Sequence, residues 1–268
     1  MSCALTSGGK LAQCLAQGAD KSMYAVYQDY TLRSAFQPIV AADGSLFGYE
    51  ALLRIYDREG RQLKTEPFFS TGLLNVTDRL NLERLARSIH LHNYAQFLSQ
   101  GALFINMTPI AALDTASQQC LQHSFMTQVT ELGVSAEHIY FELLEHYTSN
   151  DRLLLHSLKN MQQHGLRIAM DDYGVDGSSE TRARYVNPEV IKIDRSLLVQ
   201  LRAGRPQALL DVVTLAKELK ARVLVEGVES EADFESVRGI GVDYMQGYYI
   251  GHPELACYLP RHFEPVCG

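Results

Sequence analysis

Ile168-Ala169-Met170-Asp171-Asp172-Tyr173-Gly174 is the stretch from which the fold and the site can be worked out. Its apolar residues predict a buried strand that ends in two adjacent carboxylates and a glycine turn. Two neighbouring acids repel each other, so their position at a strand end indicates a bound cation. Taken alone, the stretch fits a solvated Asp-Asp turn equally well. The choice therefore depends on how the other strands end.

Short apolar strands alternate with amphipathic helices on both sides of this stretch. Strands are predicted at 35–40, 46–50, 103–106, 139–142, 167–171, 190–194, 222–226 and 244–247, and helices at 80–97, 117–132, 151–164, 206–219 and 231–239. Asp43-Gly44 predicts a hairpin, so the first two strands should be antiparallel. The alternation predicts an α/β fold, a TIM-like (β/α)8 barrel, with an open doubly wound sheet as the alternative.

The size and composition of the chain suit one such barrel. The 268 residues are 46% hydrophobic and 21% charged, which is typical of a soluble protein with a sizeable core. Residues 1–22 are small, polar and weakly patterned, so we predict a flexible tail or a short cap there. Residues 23–268 are predicted to form a single barrel domain.

The net charge and the cysteine content limit which classes of binding partner and which cellular compartment the sequence predicts. The net charge of −7 argues against a nucleic-acid polymer as the partner. No signal peptide or membrane-spanning stretch is predicted, so we expect no membrane association and a cytoplasmic location. The cysteines are odd in number and lack zinc-site spacing, which predicts reduced thiols. These are Cys3, Cys14, Cys120, Cys257 and Cys267. His90, His92 and Asn93 are interpreted as packing or helix-surface residues rather than metal ligands.

Acids and amides end almost every predicted strand. In a parallel barrel the carboxyl ends of the strands converge on one face, where the active site is built. Oxygen ligands without Cys or His favour Mg²⁺ or Mn²⁺ over Zn²⁺. A pair of such ions beside a lysine suits phosphate-ester hydrolysis. The residues concerned are Glu50, Asn106, Glu142, Asp171, Asp172, Lys192, Asp194, Glu226 and Gln246.

Eight segments, in order and at similar spacing, resemble the motifs of the EAL family of cyclic di-GMP phosphodiesterases. The resemblance covers about residues 33–254, and the set is far more specific than Glu-Ala-Leu alone. The segments are Gln37-Pro38-Ile39, Gly48-Tyr49-Glu50-Ala51-Leu52-Leu53-Arg54, Phe104-Ile105-Asn106, Phe141-Glu142-Leu143-Leu144-Glu145, Asp171-Asp172-Tyr173-Gly174, Ile191-Lys192-Ile193-Asp194, Glu226-Gly227-Val228-Glu229 and Gln246-Gly247-Tyr248-Tyr249.

The resemblance implies a barrel whose first strand is antiparallel to the rest, in agreement with the predicted hairpin. It also implies a homodimer that hydrolyses cyclic di-GMP to linear pGpG with two Mg²⁺ or Mn²⁺ ions. Asp171 would bridge the ions, Lys192 would lie beside the attacking water, and Glu226 would be the general base. The implied metal ligands are Glu50, Asn106, Glu142, Asp171 and Asp172. The implied substrate contacts are Gln37, Leu52, Arg54, Asp194 and Gln246, and Gln246 would also orient water.

Two further acids and one loop complete what the resemblance implies. Glu145 would steady the loop after the aspartate pair, and Glu229 would support the site and dimer contacts. The family loop reads Asp-Phe-Gly-Thr-Gly-Tyr-Ser-Ser, whereas here it is Asp172-Tyr173-Gly174-Val175-Asp176-Gly177-Ser178-Ser179. This difference puts the loop's part in metal binding and dimer coupling in doubt. It leaves open a receptor that binds cyclic di-GMP without cleaving it, or a protein-interaction domain that has lost nucleotide binding.

Overall fold

The computed structural model describes residues 4–5, 7–70, 72, 74–143, 151–174, 180–259 and 263. Glu145 and residues 175–179, whose roles were predicted above, lie outside the described residues. Within the described part of the chain, no helix is both long enough and apolar enough to cross a membrane.

The described residues contain twelve strands, which form one mixed sheet. They are β1 (Leu15–Gln17), β2 (Met23–Tyr27), β3 (Tyr30–Ala41), β4 (Leu46–Tyr56), β5 (Gln62–Leu63), β6 (Ala102–Met107), β7 (Ile139–Leu143), β8 (Arg167–Tyr173), β9 (Val190–Ile193), β10 (Arg222–Val225), β11 (Tyr244–Gln246) and β12 (Glu254–Leu255). The eight strands predicted from the sequence are all present as β3, β4 and β6–β11.

The helices are α1 (Gly8–Ala12), α2 (Thr65–Ser70), α3 (Val76–Asn93), α4 (Pro109–Leu113), α5 (Thr115–Cys120), α6 (Met126–Glu131), α7 (Asp151–Gln163), α8 (Glu180–Val186), α9 (Arg195–Arg202), α10 (Gln207–Leu219) and α11 (Glu231–Ile240). The helix predicted at 117–132 is divided into α5 and α6 by a π-helical turn at Leu121–Phe125. Short helices α8 and α9 flank β9 and were not predicted, because each has too few residues to show a helical period.

The sheet closes into a barrel of eight strands. β3 pairs antiparallel with both β4 and β11, while β4 and β6 through β11 pair parallel with their neighbours around the ring. The hairpin at Asp43-Gly44 is therefore confirmed, as is a barrel whose first strand opposes the rest. The first two strands are longer than predicted. The strand predicted at 35–40 begins at Tyr30, and the strand predicted to end at Glu50 continues to Tyr56, because β3 and β4 go on pairing beyond the barrel rim.

Residues 8–17 pack on this extension of the sheet. β1 pairs with β2, and β2 pairs with β3, so the sheet spreads outward from the barrel. Leu11 of α1 is buried in a cluster with Leu32, Ile55 and Leu85. This second apolar cluster joins the N-terminal segment to helix α3.

Helix α3 carries a buried polar group against β3. His90 Nδ1 lies 2.8 Å from Ser34 Oγ, and Asn93 Nδ2 donates to the same hydroxyl at 3.2 Å and to Met23 O at 2.8 Å. His90 and Asn93 are thus packing residues, as interpreted from the sequence. Burial, followed by the nearby Arg54 guanidinium, lowers the pKa of His90 to about 3.

His90→Asn is expected to make the protein lose less stability on acidification. His90 titrates near 3 when folded and near 6.5 when unfolded, so below pH 6.5 the unfolded chain binds more protons and unfolding becomes easier. At pH 5 the wild type should lose about 2 kcal/mol relative to pH 7 through this group. Urea denaturation at both pH values measures the difference between the proteins. His138→Asn, at an exposed histidine, should keep the wild-type pH dependence. Equal losses in His90→Asn and wild type would contradict the prediction.

Candidate active site

The polar residues predicted at the strand ends face the inside of the barrel. Side chains of a strand alternate between its two faces, so a residue two positions beyond an interior apolar residue faces the same way and lies nearer the carboxyl end. Five strands follow this pattern, and their apolar residues form the packed interior of the barrel. The pairs are Phe104 and Asn106, Tyr140 and Glu142, Ala169 and Asp171, Val190 and Lys192, and Leu224 and Glu226.

Lys192 occupies the centre of this ring. Its Nζ lies 2.6 Å from Glu142 Oε1, 2.8 Å from Asp171 Oδ1, 2.8 Å from Glu226 Oε1 and 3.9 Å from Glu50 Oε1. The lysine is 1% exposed and Glu142 is fully buried. One ammonium therefore faces four carboxylates in a place that water hardly reaches.

Burial and the excess of negative charge shift the pKa values of the ionisable side chains in the ring. Burial alone would lower the pKa of Lys192, but the surrounding carboxylates, Asp171 foremost, raise it well above its usual value. Burial raises the pKa of Glu142 well above its usual value and that of Glu226 to about 8, although Lys192 opposes both shifts. The ring thus holds more carboxylates than one ammonium can neutralise, so further positive charge would be stabilised there.

The buried oxygens of the ring have too few donors, which suits a cation. Glu142 Oε2 has no donor among the residues that the structure describes, and Glu142 Oε1 and Asp171 Oδ1 share the single ammonium of Lys192. Ligand oxygens of Asp171, Asp172 and Glu226 lie within 4.8 Å of one another. Carboxylate oxygens at this spacing fit hard divalent cations such as Mg²⁺ or Mn²⁺.

Asp172 lies beside Asp171 in an unusual backbone conformation. Its φ of 51° is in the left-handed region, which Asp tolerates better than most residues. The residue interrupts the regular pairing of β8 with β9, whose register shifts between Met170 and Tyr173. Asp172 is exposed at the cavity, and its partial desolvation there, followed by the charge of Asp171, raises its pKa to about 6. The two adjacent carboxylates thus reach the same region of the site from the end of a single strand.

Amide side chains complete the ring on the β3, β4 and β11 side. Gln246 Nε2 donates to Glu50 Oε2 at 2.7 Å and to Gln37 Oε1 at 3.1 Å. Gln37 Nε2 donates to Gly251 O at 3.0 Å, and Asn106 Nδ2 donates to Glu50 Oε1 at 3.3 Å. Glu50 is therefore held by two amides, one on each side.

A cavity of about 360 Å³ opens above the ring. Asn106 and Glu142 lie in the ring but do not line the cavity. Arg195 and Tyr248 line it and were missed from the sequence; Arg195 directly follows the strand-end Asp194, and Tyr248 directly follows Gly247. The predicted residues that line it are Gln37, Glu50, Leu52, Asp171, Asp172, Lys192, Glu226, Glu229 and Gln246.

Asp194 and Arg54, predicted as substrate contacts, and Glu229, predicted to support the site, each contact another part of the chain. Asp194 lies outside the cavity lining, and its Oδ1 accepts from Ser196 N at 2.8 Å as the N-cap of α9. Arg54 also lies outside the lining and donates to Leu53 O at 3.1 Å. Glu229 lines the cavity and pairs with Arg195 at 2.8 Å, so it holds the Arg195 guanidinium at the rim of the cavity.

Two glycines let the loops around the cavity pack closely. A Cβ on Gly247 would lie 2.1 Å from Val228 O, so only glycine allows these two backbones to meet. Gly227 has a φ of 74°, and a Cβ there would lie 2.5 Å from Arg195 Cγ. Both glycines follow directly after a ring residue, Gln246 or Glu226, and allow the chain to turn there.

Comparison with known proteins matches nearly the whole described chain. The family model for the EAL domain matches residues 23–253. Cyclic di-GMP phosphodiesterase PdeF of Escherichia coli is 27% identical over 237 residues, which are 86% of this chain and 31% of PdeF. The chain therefore spans less than a third of that relative.

Solved structures share the fold. One described as the PaMucR phosphodiesterase in complex with c-di-GMP superposes with a TM-score of 0.73 at 22% identity, over 84% of this chain and 92% of the other. Bacillus subtilis YkuI, solved with substrate c-di-GMP and calcium, gives a TM-score of 0.72 at 23% identity, over 84% and 56%. At these identities the two structures establish the barrel fold.

Proposed function

Because this chain belongs to the EAL domain family, we propose that it is a metal-dependent phosphodiesterase that hydrolyses cyclic di-GMP to linear pGpG. The observation that carries the proposal is the ring in which one buried ammonium faces four carboxylates below an open cavity. The name of PdeF and the ligand in the YkuI structure support the choice of cyclic di-GMP as substrate.

Two divalent cations, Mg²⁺ or Mn²⁺, are the proposed cofactors. When bound, such ions lower the pKa of a coordinated water and stabilise charge on phosphate oxygens. Their fit here rests on the buried Glu142 Oε2, which has no donor among the described residues, on the sharing of one ammonium by Glu142 and Asp171, and on the closely spaced oxygens of Asp171, Asp172 and Glu226. The calcium in the YkuI structure supports a site for hard cations in this fold. The residues that would hold the ions are Glu50, Asn106, Glu142, Asp171 and Asp172.

Lys192 and Glu226 have complementary roles in the proposed reaction. Lys192 keeps its proton among the carboxylates, so it acts as a hydrogen-bond donor and positive charge rather than as a base. Glu226 pairs with Lys192, and its side chain is 22% exposed, so it can reach a water in the cavity. Burial raises the pKa of Glu226 to about 8, and the positive charge of bound cations would lower it again and keep the carboxylate ionised. We assign Glu226 in this ionised form as the acceptor of the proton from the attacking water.

The bond changes follow from this assignment. The water oxygen forms a bond to one phosphorus of the cyclic dinucleotide, and the bond from that phosphorus to the ribose O3′ breaks. Glu226 takes a proton from the attacking water, and that proton is then passed, through solvent water in the cavity, to O3′ as it leaves, so Glu226 ends the reaction ionised as it began. One hydrolysis opens the ring and leaves a terminal 5′-phosphate, which gives pGpG.

The rim of the cavity would hold the rest of the substrate. Gln37, Leu52 and Gln246 line the wall formed by β3, β4 and β11. Arg195, fixed by Glu229, supplies positive charge at the opposite rim, where a phosphate oxygen could accept its hydrogen bonds. Tyr248 is 57% exposed at the edge and offers an aromatic face to a guanine base.

The purified protein is expected to convert cyclic di-GMP to pGpG in Mg²⁺ or Mn²⁺, with no product in EDTA. Glu50→Gln should lower the rate at least about a hundredfold, since an amide is a weaker cation ligand and lacks the charge. Glu137→Gln, at an exposed acid just before β7, serves as the matched control and should react like wild type. Chromatography of the nucleotides measures both.

The same experiment separates the alternatives left open by the loop at 173–179. Tight binding of cyclic di-GMP without product would favour a receptor over an enzyme. Absence of both binding and product would favour a protein-interaction domain. Wild-type turnover by Glu50→Gln would contradict the placement of the cations in the ring.

A further inference from the structure

Glu83 of α3 clamps the chain just beyond β6 with both oxygens of its carboxylate. Oε1 accepts from Thr108 N at 2.7 Å, and Oε2 accepts from Thr108 Oγ1 at 3.0 Å. Thr108 Oγ1 in turn accepts from Ala111 N at 3.3 Å as the N-cap of α4. One carboxylate thus fixes both the backbone and the side chain of a residue two positions after Asn106.

The end of β6 needs such a clamp because its strand pairing is one-sided there. β6 pairs with β4 as far as Ala51 opposite Ile105, one residue before Asn106. On its other side, β6 remains paired with β7 through Met107. Asn106 therefore has a strand neighbour on the β7 side only, and the Thr108 N–H bonds to Glu83.

The orientation of Asn106 matters for a cation. Its Nδ2 donates to Glu50 Oε1, and a carboxylate can only accept, so the amide must turn its nitrogen toward Glu50. Oδ1 is then directed away from Glu50 and is available as a ligand. A small rotation of the strand end would move this oxygen.

We propose that Glu83 is a positioning residue for the metal site, which holds the end of β6 so that Asn106 presents its oxygen to a divalent cation. The inference rests on the metal-binding part of the proposed function. It concerns a residue outside the cavity, which acts through Thr108 and the backbone rather than by contact with the ion. Groups that orient metal ligands typically change metal affinity by 10–100-fold when removed.

A matched control is available at the opposite end of the barrel. Glu189, just before β9, also clamps a neighbouring strand: Oε2 accepts from Ile168 N at 2.8 Å, and Oε1 accepts from Gln162 Nε2 at 3.0 Å. Glu189 and Glu83 thus make the same kind of bond, but only Glu83 does so at the face that carries the ring.

The test is Mn²⁺ binding by the full chain without nucleotide, measured by the electron paramagnetic resonance of free Mn²⁺. Glu83→Gln should weaken binding about tenfold, whereas Glu189→Gln should stay within about twofold of wild type. In an Asn106→Ala background, Glu83→Gln should add less than about a twofold effect, because the two residues act on one ligand. Thr108→Val, which lacks the hydroxyl that bonds to Glu83, should also weaken Mn²⁺ binding. Thr108→Ser keeps the hydroxyl and should bind Mn²⁺ with the affinity of the wild type.

Each opposite result would overturn the proposal. The first is wild-type Mn²⁺ affinity in Glu83→Gln, and the second is an equal loss of Mn²⁺ affinity in Glu83→Gln and Glu189→Gln. The third is an effect of Glu83→Gln on Mn²⁺ affinity that is as large in the Asn106→Ala background as in the wild type. If Glu83→Gln does not fold, the comparison of Thr108→Val with Thr108→Ser decides, and equal affinity in these two would overturn the proposal. A wild-type chain that binds no Mn²⁺ would refute the metal site itself. Mn²⁺ binding without hydrolysis would refute the proposed activity and leave the role of Glu83 standing.

Discussion

Asp171→Asn is expected to lower the rate of cyclic di-GMP hydrolysis by roughly a thousandfold, or about 4 kcal/mol of transition-state stabilisation. The amide keeps the shape of the side chain but loses the charge and one cation ligand. Asp171 contacts Lys192 at 2.8 Å and lies with Asp172 and Glu226 where ligand oxygens converge. Its loss should therefore affect cation binding and the surroundings of the attacking water together. Initial rates of pGpG formation at saturating Mn²⁺ measure the effect.

Asp243→Asn is the control for this substitution. Asp243 precedes β11 at the amino-terminal end of the barrel, where Oδ1 lies 2.6 Å from Arg222 Nη1 and Oδ2 accepts from Val223 N at 2.9 Å. Like Asp171, it is an aspartate that contacts a neighbouring strand, but it lies at the end of the barrel opposite the ring. We expect wild-type rates from Asp243→Asn. A thousandfold loss in both variants, or in neither, would contradict the role assigned to Asp171.

The strand-end residues were predictable because the period of a strand is fixed. Once Phe104, Tyr140 and Leu224 are taken as interior residues, Asn106, Glu142 and Glu226 must face the same way two positions later. The closed parallel ring then brings them together without further information. For this reason the sequence predicted both the barrel and the members of its polar ring.

Contacts that depend on side-chain reach could not be predicted in the same way. The sequence placed Lys192 on the correct face, but its simultaneous approach to Glu142, Asp171 and Glu226 depends on where four separate strands meet. The clamp of Glu83 on Thr108 joins a helix to a loop 25 residues away in the chain, and no local pattern marks it. Even for Asp194 the strand-end pattern was ambiguous, since an aspartate there can also cap the helix that follows.

Lys192→Met is expected to destabilise the metal-free protein by about 3–5 kcal/mol, as for other buried ion pairs that lose one partner. Met has similar bulk, so the loss is mainly one of charge. The carboxylates of Glu142, Asp171 and Glu226 would then be close together in a buried place without their ammonium. Because divalent cations supply the missing charge, Mn²⁺ should restore much of the lost stability. The gain in free energy of unfolding on adding Mn²⁺ should therefore be larger in Lys192→Met than in wild type.

Urea denaturation in EDTA and in saturating Mn²⁺ provides the four free energies of unfolding that this comparison needs. Lys217→Met, at an exposed position near the end of α10, removes a lysine charge far from the ring and should behave like wild type in both conditions. Wild-type stability of Lys192→Met in EDTA would show that the ring does not depend on its ammonium. A gain on adding Mn²⁺ no larger than that of wild type would show that cations do not take over its role. The larger gain would identify Lys192 as the charge that holds the ring together until cations bind.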